Sequence, residues 1–502
     1  MKSILCATLE GFDAKVVDVE VAFVRALPSF AIVGLAQTSI QESKERIKSA
    51  LSAIEFKFPP QKVTVNLSPS DLRKEGSHFD LPIALLIALQ KSEISFENFM
   101  AFGELGLDGK LKDTNAIFPL ILSLAKEKKL KKVIIPKSSF EKVSKIPKIE
   151  IYPVDNLEEA IEIFLLEKKS FQIDREFFTY PHLKCEKVTF YYTDNFEEDF
   201  IDIKGQEIAK RASLISVAGM HNILYEGSPG CGKSMSAKRL QYILPPMELE
   251  VILENAKLDS LEAKEPSFEP IRPFRSPHHS STNASIFGGG SRNAKIGEVA
   301  LANNGILFFD EFPHFEKNTL QSLREPLEDY KVLISRVNSK IEYQTKFLFV
   351  AAMNPCPCGN LLSSKKECRC SDLEIKRYKS RLSSPLLDRI DLYVQMEEIK
   401  EGDRATVSSH EMFEKVKIAF LAQKRRNQKE LNGKLNDKEI MKFCKLDENS
   451  QQLLTQASQR FDLSQRGVKK VLKVARTIAD LDEKKDIQKV HLLEAFSYRM
   501  KM

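Results

Sequence analysis

Ile223-Leu-Tyr-Glu-Gly227-Ser-Pro-Gly-Cys-Gly232-Lys233-Ser234-Met235 is the stretch on which the reading of this 502-residue chain turns. Residues 223–225 have the apolar character of a short buried strand, and a helix is expected from about Met235. Between them stands G-x-x-x-x-G-K-S, in the strand–loop–helix setting that this motif requires. The loop of Gly227, Ser228, Pro229, Gly230, Cys231 and Gly232 can wrap its backbone N–H groups, with those of the helix start, around phosphates. Lys233 then reaches the terminal phosphates, and the Ser234 hydroxyl ligates Mg²⁺. ATP with Mg²⁺ is the expected ligand.

Working outward from this loop, Gly305-Ile-Leu-Phe-Phe-Asp310-Glu311 has the continuous apolar run of a buried parallel strand. Its carboxylates should emerge at the C-terminal strand edge, where ligands bind in such sheets. Asp310 is expected to hold Mg²⁺ through water, and Glu311 to polarise the attacking water. The next apolar strand, residues 347–353, ends in Asn354, a polar tip that can orient that water and also suits the turn before Pro355.

Residues 1–167 alternate strand-like and helix-like stretches. Residues 15–24, 30–33, 62–67 and 132–135 read as strands, 41–54 as a helix, and 81–89 as a buried helix. Residues 103–111 read as a hairpin turning on Asp108-Gly109. Residues 168–198, charged and aromatic without a sustained period, are expected to be a linker. An α/β core follows over 199–394. Residues 395–502 read as helical, with apolar i, i+3, i+4 spacing over 411–429, 448–461, 464–481 and 487–500.

Bulk properties fit this division. The length exceeds what one hydrophobic core serves, and 42% hydrophobic with 29% charged residues is the balance of a globular protein. A net charge of +6 permits nucleic-acid binding without arguing for it. The longest apolar run, 81–89, is far short of the ~20 residues of a membrane helix. The N-terminus turns polar too early for a secretory h-region, so a cytoplasmic protein without a membrane partner is expected.

Four of the eight cysteines fall in one window. Cys356-Pro-Cys358 and Cys368-Arg-Cys370 form two C-x-C pairs joined by a short loop, which can converge on one tetrahedral Zn²⁺, although C-x-x-C is the commoner knuckle.

Together these motifs resemble the ComM/YifB family of magnesium-chelatase-like AAA+ ATPases. The resemblance is carried by Phe200-x-Asp-x-Lys-Gly205-Gln206, Arg275-Ser-Pro-His-His279, Gly288-Gly-Gly290, Gly297-Glu298, the Asp310-Glu311 strand and Arg324-x-Pro326-Leu-Glu-Asp329. It continues through Ala351-Ala-Met-Asn-Pro-Cys-Pro-Cys358-Gly, Pro385-Leu-Leu-Asp-Arg389-Ile-Asp391 and Leu463-Ser-x-Arg466. It implies that Asn354 is the sensor-1 residue, Arg389 an arginine finger inserted into a neighbouring subunit's site, and Arg466 the sensor-2 arginine. Arg381 is a rival for the finger, and Ser384 stands where the family has a glycine. The implied architecture is multidomain α/β: a Lon-protease-like (ribosomal-protein-domain-like) α+β domain, a central AAA+ P-loop domain and a C-terminal helical lid.

The Lon-like resemblance rests on Arg73-Lys-Glu-Gly76-Ser-His-Phe-Asp80-Leu-Pro82 and the 103–111 hairpin. Peptide hydrolysis on that fold needs a serine and a lysine within hydrogen-bond reach. His78 occupies the expected serine position, Ser77 lies one place early, and residues 117–120 contain no lysine. The dyad is therefore expected to be absent and His78 to be a packed or surface residue.

The family resemblance implies a hexameric helicase that drives branch migration of DNA during natural transformation. Residues 332–346 read as a hairpin turning near Asn338-Ser339. Arg336 and Lys340 flank its tip, where a cation can follow phosphates without reading bases. Lys424-Arg-Arg426 is a further basic run. Two other readings stay open: a magnesium-chelatase-type motor subunit, and an ATPase that remodels protein partners.

Overall fold

Residues 62–67 alternate apolar and polar side chains, and in the computed structural model they lie in strand Lys62–Ser68, with Val63, Val65 and Leu67 buried. The structure describes residues 2–166, 178–289, 295–335, 340–460 and 463–499. The chain divides into two compact units, Met1–Thr179 with Leu253–Phe268, and Tyr180–Ile252 with Glu269–Met502.

The first unit is built on a seven-stranded mixed sheet in the order Ser29–Val33, Lys62–Ser68, Asp13–Val24, Lys2–Glu10, Phe99–Ala101, Lys132–Pro136, Glu150–Val154. The strands and helices expected here are present, and the apolar run 81–89 forms helix Asp80–Ala88, buried along nearly its whole length. Strand Lys2–Glu10 escapes a reading of local pattern, yet it sits in mid-sheet, antiparallel to Asp13–Val24 and parallel to Phe99–Ala101. Hairpin 103–111 forms as expected. Gly109 takes φ +81°, and Asp108 Oδ1 accepts from the Lys110 N–H at 3.2 Å.

His78 is buried against the Phe79 and Phe102 rings, and its Nε2 lies 2.8 Å from the Ala7 carbonyl oxygen. Ser77 Oγ bonds to Glu104, a carboxylate in place of a lysine amine. Buried Asp80 receives both arms of Arg46, at 2.7 and 3.1 Å.

The second unit holds a five-stranded sheet, all parallel, in the order Phe274–Arg275, Ile306–Phe309, Leu348–Met353, Ile223–Gly227, Leu392–Met396. Parallel strands buried on both faces need continuous apolar sequence, which Ile306–Phe309 and Leu348–Met353 supply. Because the strands are parallel, their C-terminal tips lie along one edge, and the loops that carry chemistry collect there. Helices Ser409–Arg425, Glu448–Arg460, Gln465–Leu481 and Lys489–Ser497 answer the helical periods of the C-terminal third. Val471, Val474 and Ile478 of the third share one hydrophobic core with Ile223 and Leu348 of the sheet.

Within residues 168–198, strands His182–Cys185 and Val188–Tyr191 pair, and Met247–Glu248 extends them. The expected hairpin is present as Lys331–Ser335 paired with Lys340–Gln344, Ser335 opposite Lys340. Arg336, Asn338 and Ser339 lie outside the described residues, as does the side chain of Lys340. No helix among the described residues is long and apolar enough to cross a membrane.

Candidate functional site

The loop after strand Ile223–Gly227 takes its shape from its glycines. Gly232 adopts φ +96°, a region that costs a side-chain-bearing residue strain. At Gly227 a Cβ would stand 2.6 Å from Cys231 Sγ and 2.9 Å from the Met396 carbonyl oxygen. Helix Lys233–Arg239 begins directly behind the loop.

Lys233 is nearly buried, and its ammonium donates to the carbonyls of Gly227 at 2.7 Å and Ser228 at 3.0 Å, and to Asn354 Oδ1 at 3.2 Å. Burial lowers its pKa. Ser234 Oγ donates to Asp310 Oδ2 at 2.7 Å. Residues far apart in sequence thus converge at three strand tips: the phosphate loop, Asp310 and Asn354. A hydroxyl and a carboxylate in contact are hard oxygen donors, and they fit Mg²⁺, which is commonly held by one or two protein oxygens with phosphates and water completing the shell. When bound there, Mg²⁺ supplies positive charge against the phosphates.

Glu311 follows in a left-handed conformation, φ 49°, and its N–H donates to Asp310 Oδ1 at 2.9 Å. Its carboxylate lies 3.2 Å from His279 Nδ1, the last residue of the Arg275-Ser-Pro-His-His279 run. That role for His279 was not legible in sequence, since nothing local links a loop histidine to an acid 32 positions on. Gln206 was missed for the same reason. Its amide donates to the Cys231 carbonyl at 3.2 Å and to the Glu397 carbonyl at 2.5 Å, tying the phosphate loop to the end of the edge strand.

Arg389 and Arg466 meet elsewhere. Both guanidinium groups pair with the single carboxylate of Glu328, in the Arg324-x-Pro326-Leu-Glu-Asp329 run. Among the described residues neither shares a hydrogen bond or ion pair with Lys233, Ser234, Asp310 or Asn354. The backbone around Arg389 is pinned. Asn222, just before the phosphate-loop strand, donates to the Arg389 carbonyl at 2.8 Å, and Lys470 donates to the carbonyls of Asp388 and Ile390. Lys470 stands one turn beyond Arg466 on helix Gln465–Leu481, so that helix grips the arginine loop directly. Ser384 opens the short helix Ser384–Leu387, a position that requires no glycine. Arg381 is exposed.

The four cysteines of the 356–370 window converge. Their Sγ atoms all lie within 4.8 Å of one another, with Cys356–Cys358 at 3.4 Å and Cys368 at 3.7 Å from each of those two. All four are free thiols. Zn–S bonds of ~2.3 Å in a tetrahedron put sulfurs ~3.8 Å apart, so the set fits zinc. Backbone N–H groups of Asn360 and Arg369 lower the pKa of the Cys358 thiol, while its sulfur neighbours raise those of Cys368 and Cys370, and a bound metal would offset that mutual repulsion.

The Lys424-Arg-Arg426 run is largely engaged within the unit. Arg426 grips buried Asp480 at 2.5 and 2.6 Å, and Lys424 lies over the Phe190 and Phe420 rings.

Comparison with known proteins gives the chain its relatives. Residues 199–404 match the family model described as magnesium chelatase, subunit ChlI. Residues 19–139 match that for subunit ChlI of Mg-chelatase, and 406–499 that for the ChlI C-terminal region. The competence protein ComM of Haemophilus influenzae is 38% identical over 501 residues, covering 97% of this chain and 95% of its own length. The YifB protein of Escherichia coli is 37% identical over 500 residues, with the same coverage. A 104-residue stretch, 20% of this chain and 22% of the other, is 36% identical to the DNA repair protein RadA of Aquifex aeolicus. With a parallel P-loop sheet and relatives matching along nearly its whole length, the chain belongs to the ComM/YifB family of magnesium-chelatase-like AAA+ ATPases.

Proposed function

We propose that this protein is an ATP-hydrolysing ring motor, a homo-hexamer, that acts on branched DNA as a branch-migration helicase. The observation that carries the reading is the separation of two constellations. Lys233, Ser234, Asp310 and Asn354 gather at the phosphate loop, while Arg389 and Arg466 gather on Glu328. Arg389 and Arg466, paired with Glu328 and sharing no bond with these residues, are proposed to serve a neighbouring subunit's site. Arg389 is then the finger, in preference to Arg381, and Arg466 travels with it as the second cation on the charge developing at the γ-phosphoryl group.

In this reading the phosphate loop and Lys233 hold the β- and γ-phosphates, and Ser234 and Asp310 hold Mg²⁺. Glu311, released from His279, polarises the attacking water, which Asn354 orients. Cys356, Cys358, Cys368 and Cys370 hold a structural Zn²⁺. The N-terminal unit is a Lon-protease-like domain without a catalytic dyad, as the Ser77–Glu104 bond and the burial of His78 support. The helices after 395 form the lid.

The DNA assignment draws on the names of the relatives, a competence protein and a DNA repair protein. It also draws on the hairpin Lys331–Ser335/Lys340–Gln344, whose Arg336 and Lys340 are proposed to contact phosphates. A chelatase-type motor subunit is the second reading, from the descriptions of the matching family models. ATPase activity measured with and without a synthetic four-way junction, together with dissociation of the labelled junction, tests the proposal. Stimulation and strand movement support it. Good hydrolysis without either overturns the DNA reading in favour of a chelatase-type or protein-remodelling motor.

A further inference from the structure

A buried carboxylate needs a counter-charge or a full set of hydrogen bonds, because desolvation otherwise costs several kcal/mol. Glu226 is such a group, 1% exposed, and it immediately precedes Gly227 on the strand that feeds the phosphate loop. It accepts a hydrogen bond from the Tyr393 hydroxyl on the neighbouring strand, and its ion-pair partner is Lys379, with Nζ at 2.9 Å. Lys379 is the last residue of helix Asp372–Lys379, which starts two residues beyond Cys370. A reciprocal cap fixes that start. Glu374 N–H donates to Ser371 Oγ at 3.4 Å, and Glu374 Oε2 accepts from the Ser371 N–H at 2.8 Å.

The residue before Lys379 makes a second connection. Tyr378 is buried, with its ring edge-on to His314 at 5.8 Å. Burial pushes its hydroxyl up to about 12. A third connection comes from the loop between the cysteine pairs. Gly359, at φ +81°, lies so close to Pro229 of the phosphate loop that a Cβ would stand 2.8 Å from the proline ring. The segment from Cys356 to Lys379 therefore reaches the nucleotide site at Pro229, at Glu226 and, through the Tyr378 ring, at His314 just beyond Glu311. The cysteine cluster ties together the end of that segment which the helix does not hold.

We propose that the cysteine knuckle is a positioning element of the nucleotide site, and that Lys379 and Tyr378 are the positioning residues through which a metal held by the four thiolates sets nucleotide affinity. With the knuckle closed, helix Asp372–Lys379 is anchored at its start and presents Lys379 to Glu226. With the knuckle open, that anchor is lost. Glu226 is then left without its cation directly below the loop whose amides must align on phosphate. The inference rests on the ATP reading of the site, and it concerns affinity and not the hydrolytic step.

The experiment uses the full-length protein and a fluorescent ATP analogue, with elemental analysis of every sample. Wild type is expected to carry zinc and to lose about tenfold or more in affinity once zinc has been chelated and the chelator exchanged for buffer with full Mg²⁺. Lys379→Met should keep its zinc and show a similar loss, and chelating that variant should change its affinity by no more than about twofold, because coupled perturbations do not add. Adding Glu226→Gln to Lys379→Met should recover affinity, since no buried charge is then unpaired. Should Lys379→Met fail to fold, Gly359→Ala replaces it, with retained zinc and weakened nucleotide binding expected. A zinc-free wild type, an affinity indifferent to chelation, or effects of chelation and Lys379→Met that simply add would each overturn the proposal alone. A wild type that binds no nucleotide would overturn the ATP reading as well.

Discussion

At the scale of single residues, the site is a set of mutual hydrogen bonds. The Lys233 ammonium donates to two loop carbonyls and to Asn354 Oδ1. Lys233→Ala is expected to abolish nucleotide binding, whereas Glu311→Gln should bind normally and hydrolyse at least about a hundredfold more slowly. Equilibrium binding and steady-state turnover of both variants check this, and normal hydrolysis by Glu311→Gln would remove Glu311 from its role. The two arginines make a different prediction. Because Arg389 and Arg466 close on one carboxylate and Lys470 joins their backbones, they should act as a unit. Arg389→Ala and Arg466→Ala should each depress hydrolysis strongly, and the double variant should fall little further than the weaker single one. Independent, additive losses would show that they serve separate steps.

At the scale of elements, the parallel sheet does the assembling. Placing Leu348–Met353 between the phosphate-loop strand and the Asp310 strand brings Asn354 within reach of Lys233. The hairpin Lys331–Ser335/Lys340–Gln344 leads into that same middle strand, so force on its tip has a short covalent route to Asn354. Replacing Arg336 and Lys340 together by alanine should leave basal ATPase near the wild-type value while removing DNA stimulation and junction movement. Wild-type binding should weaken steeply with salt, as expected when phosphate contacts release counterions. A double variant that still responds fully to DNA would take the hairpin out of the proposal. The basic run 424–426 yields no comparable prediction, because the Asp480 pair and the aromatic contacts already use two of its three cations.

At the scale of the whole molecule, the proposal that Arg389 serves a neighbouring subunit's site predicts assembly. Lys233→Ala and Arg389→Ala proteins, each inactive alone, should regain part of the hydrolysis when mixed, because one interface of the mixed ring keeps both an intact loop and an intact finger. A persistently monomeric wild type with full activity would end this idea. Stability should also depend on pH in a defined window. Burial holds His78, in the first unit, and His221, in the second, neutral, each with its pKa lowered from 6.5 to about 4. A histidine held neutral by folding contributes stability that is complete above its unfolded value and lost as the pH falls toward the folded one. Roughly 3 kcal/mol per residue is at stake between about pH 6.5 and 4. Thermal unfolding across that range should show the loss, and His78→Asn should flatten part of it. A melting temperature indifferent to pH over this interval would contradict the assignment.

By itself, the sequence determined what short-range chemistry dictates. The G-x-x-x-x-G-K-S run from Gly227 to Ser234 reads as a strand–loop–helix turn, 306–309 and 348–353 read as buried strands because they are short and end in polar tips, and the Asp108-Gly109 turn needs only its own residues. The two C-x-C pairs at 356, 358, 368 and 370 allowed a cluster, and the fold brings their four sulfurs within 4.8 Å of one another. What only the tertiary structure decided are the pairings between strangers. They include Arg389 with Arg466 on Glu328, Glu311 with His279, Glu226 with Lys379, and the insertion of Lys2–Glu10 in mid-sheet. Strand order and the packing of helix Gln465–Leu481 on the arginine loop create these contacts. Both arise from burying distant apolar faces together, so no local pattern around Glu328 or Lys379 could have revealed its partner.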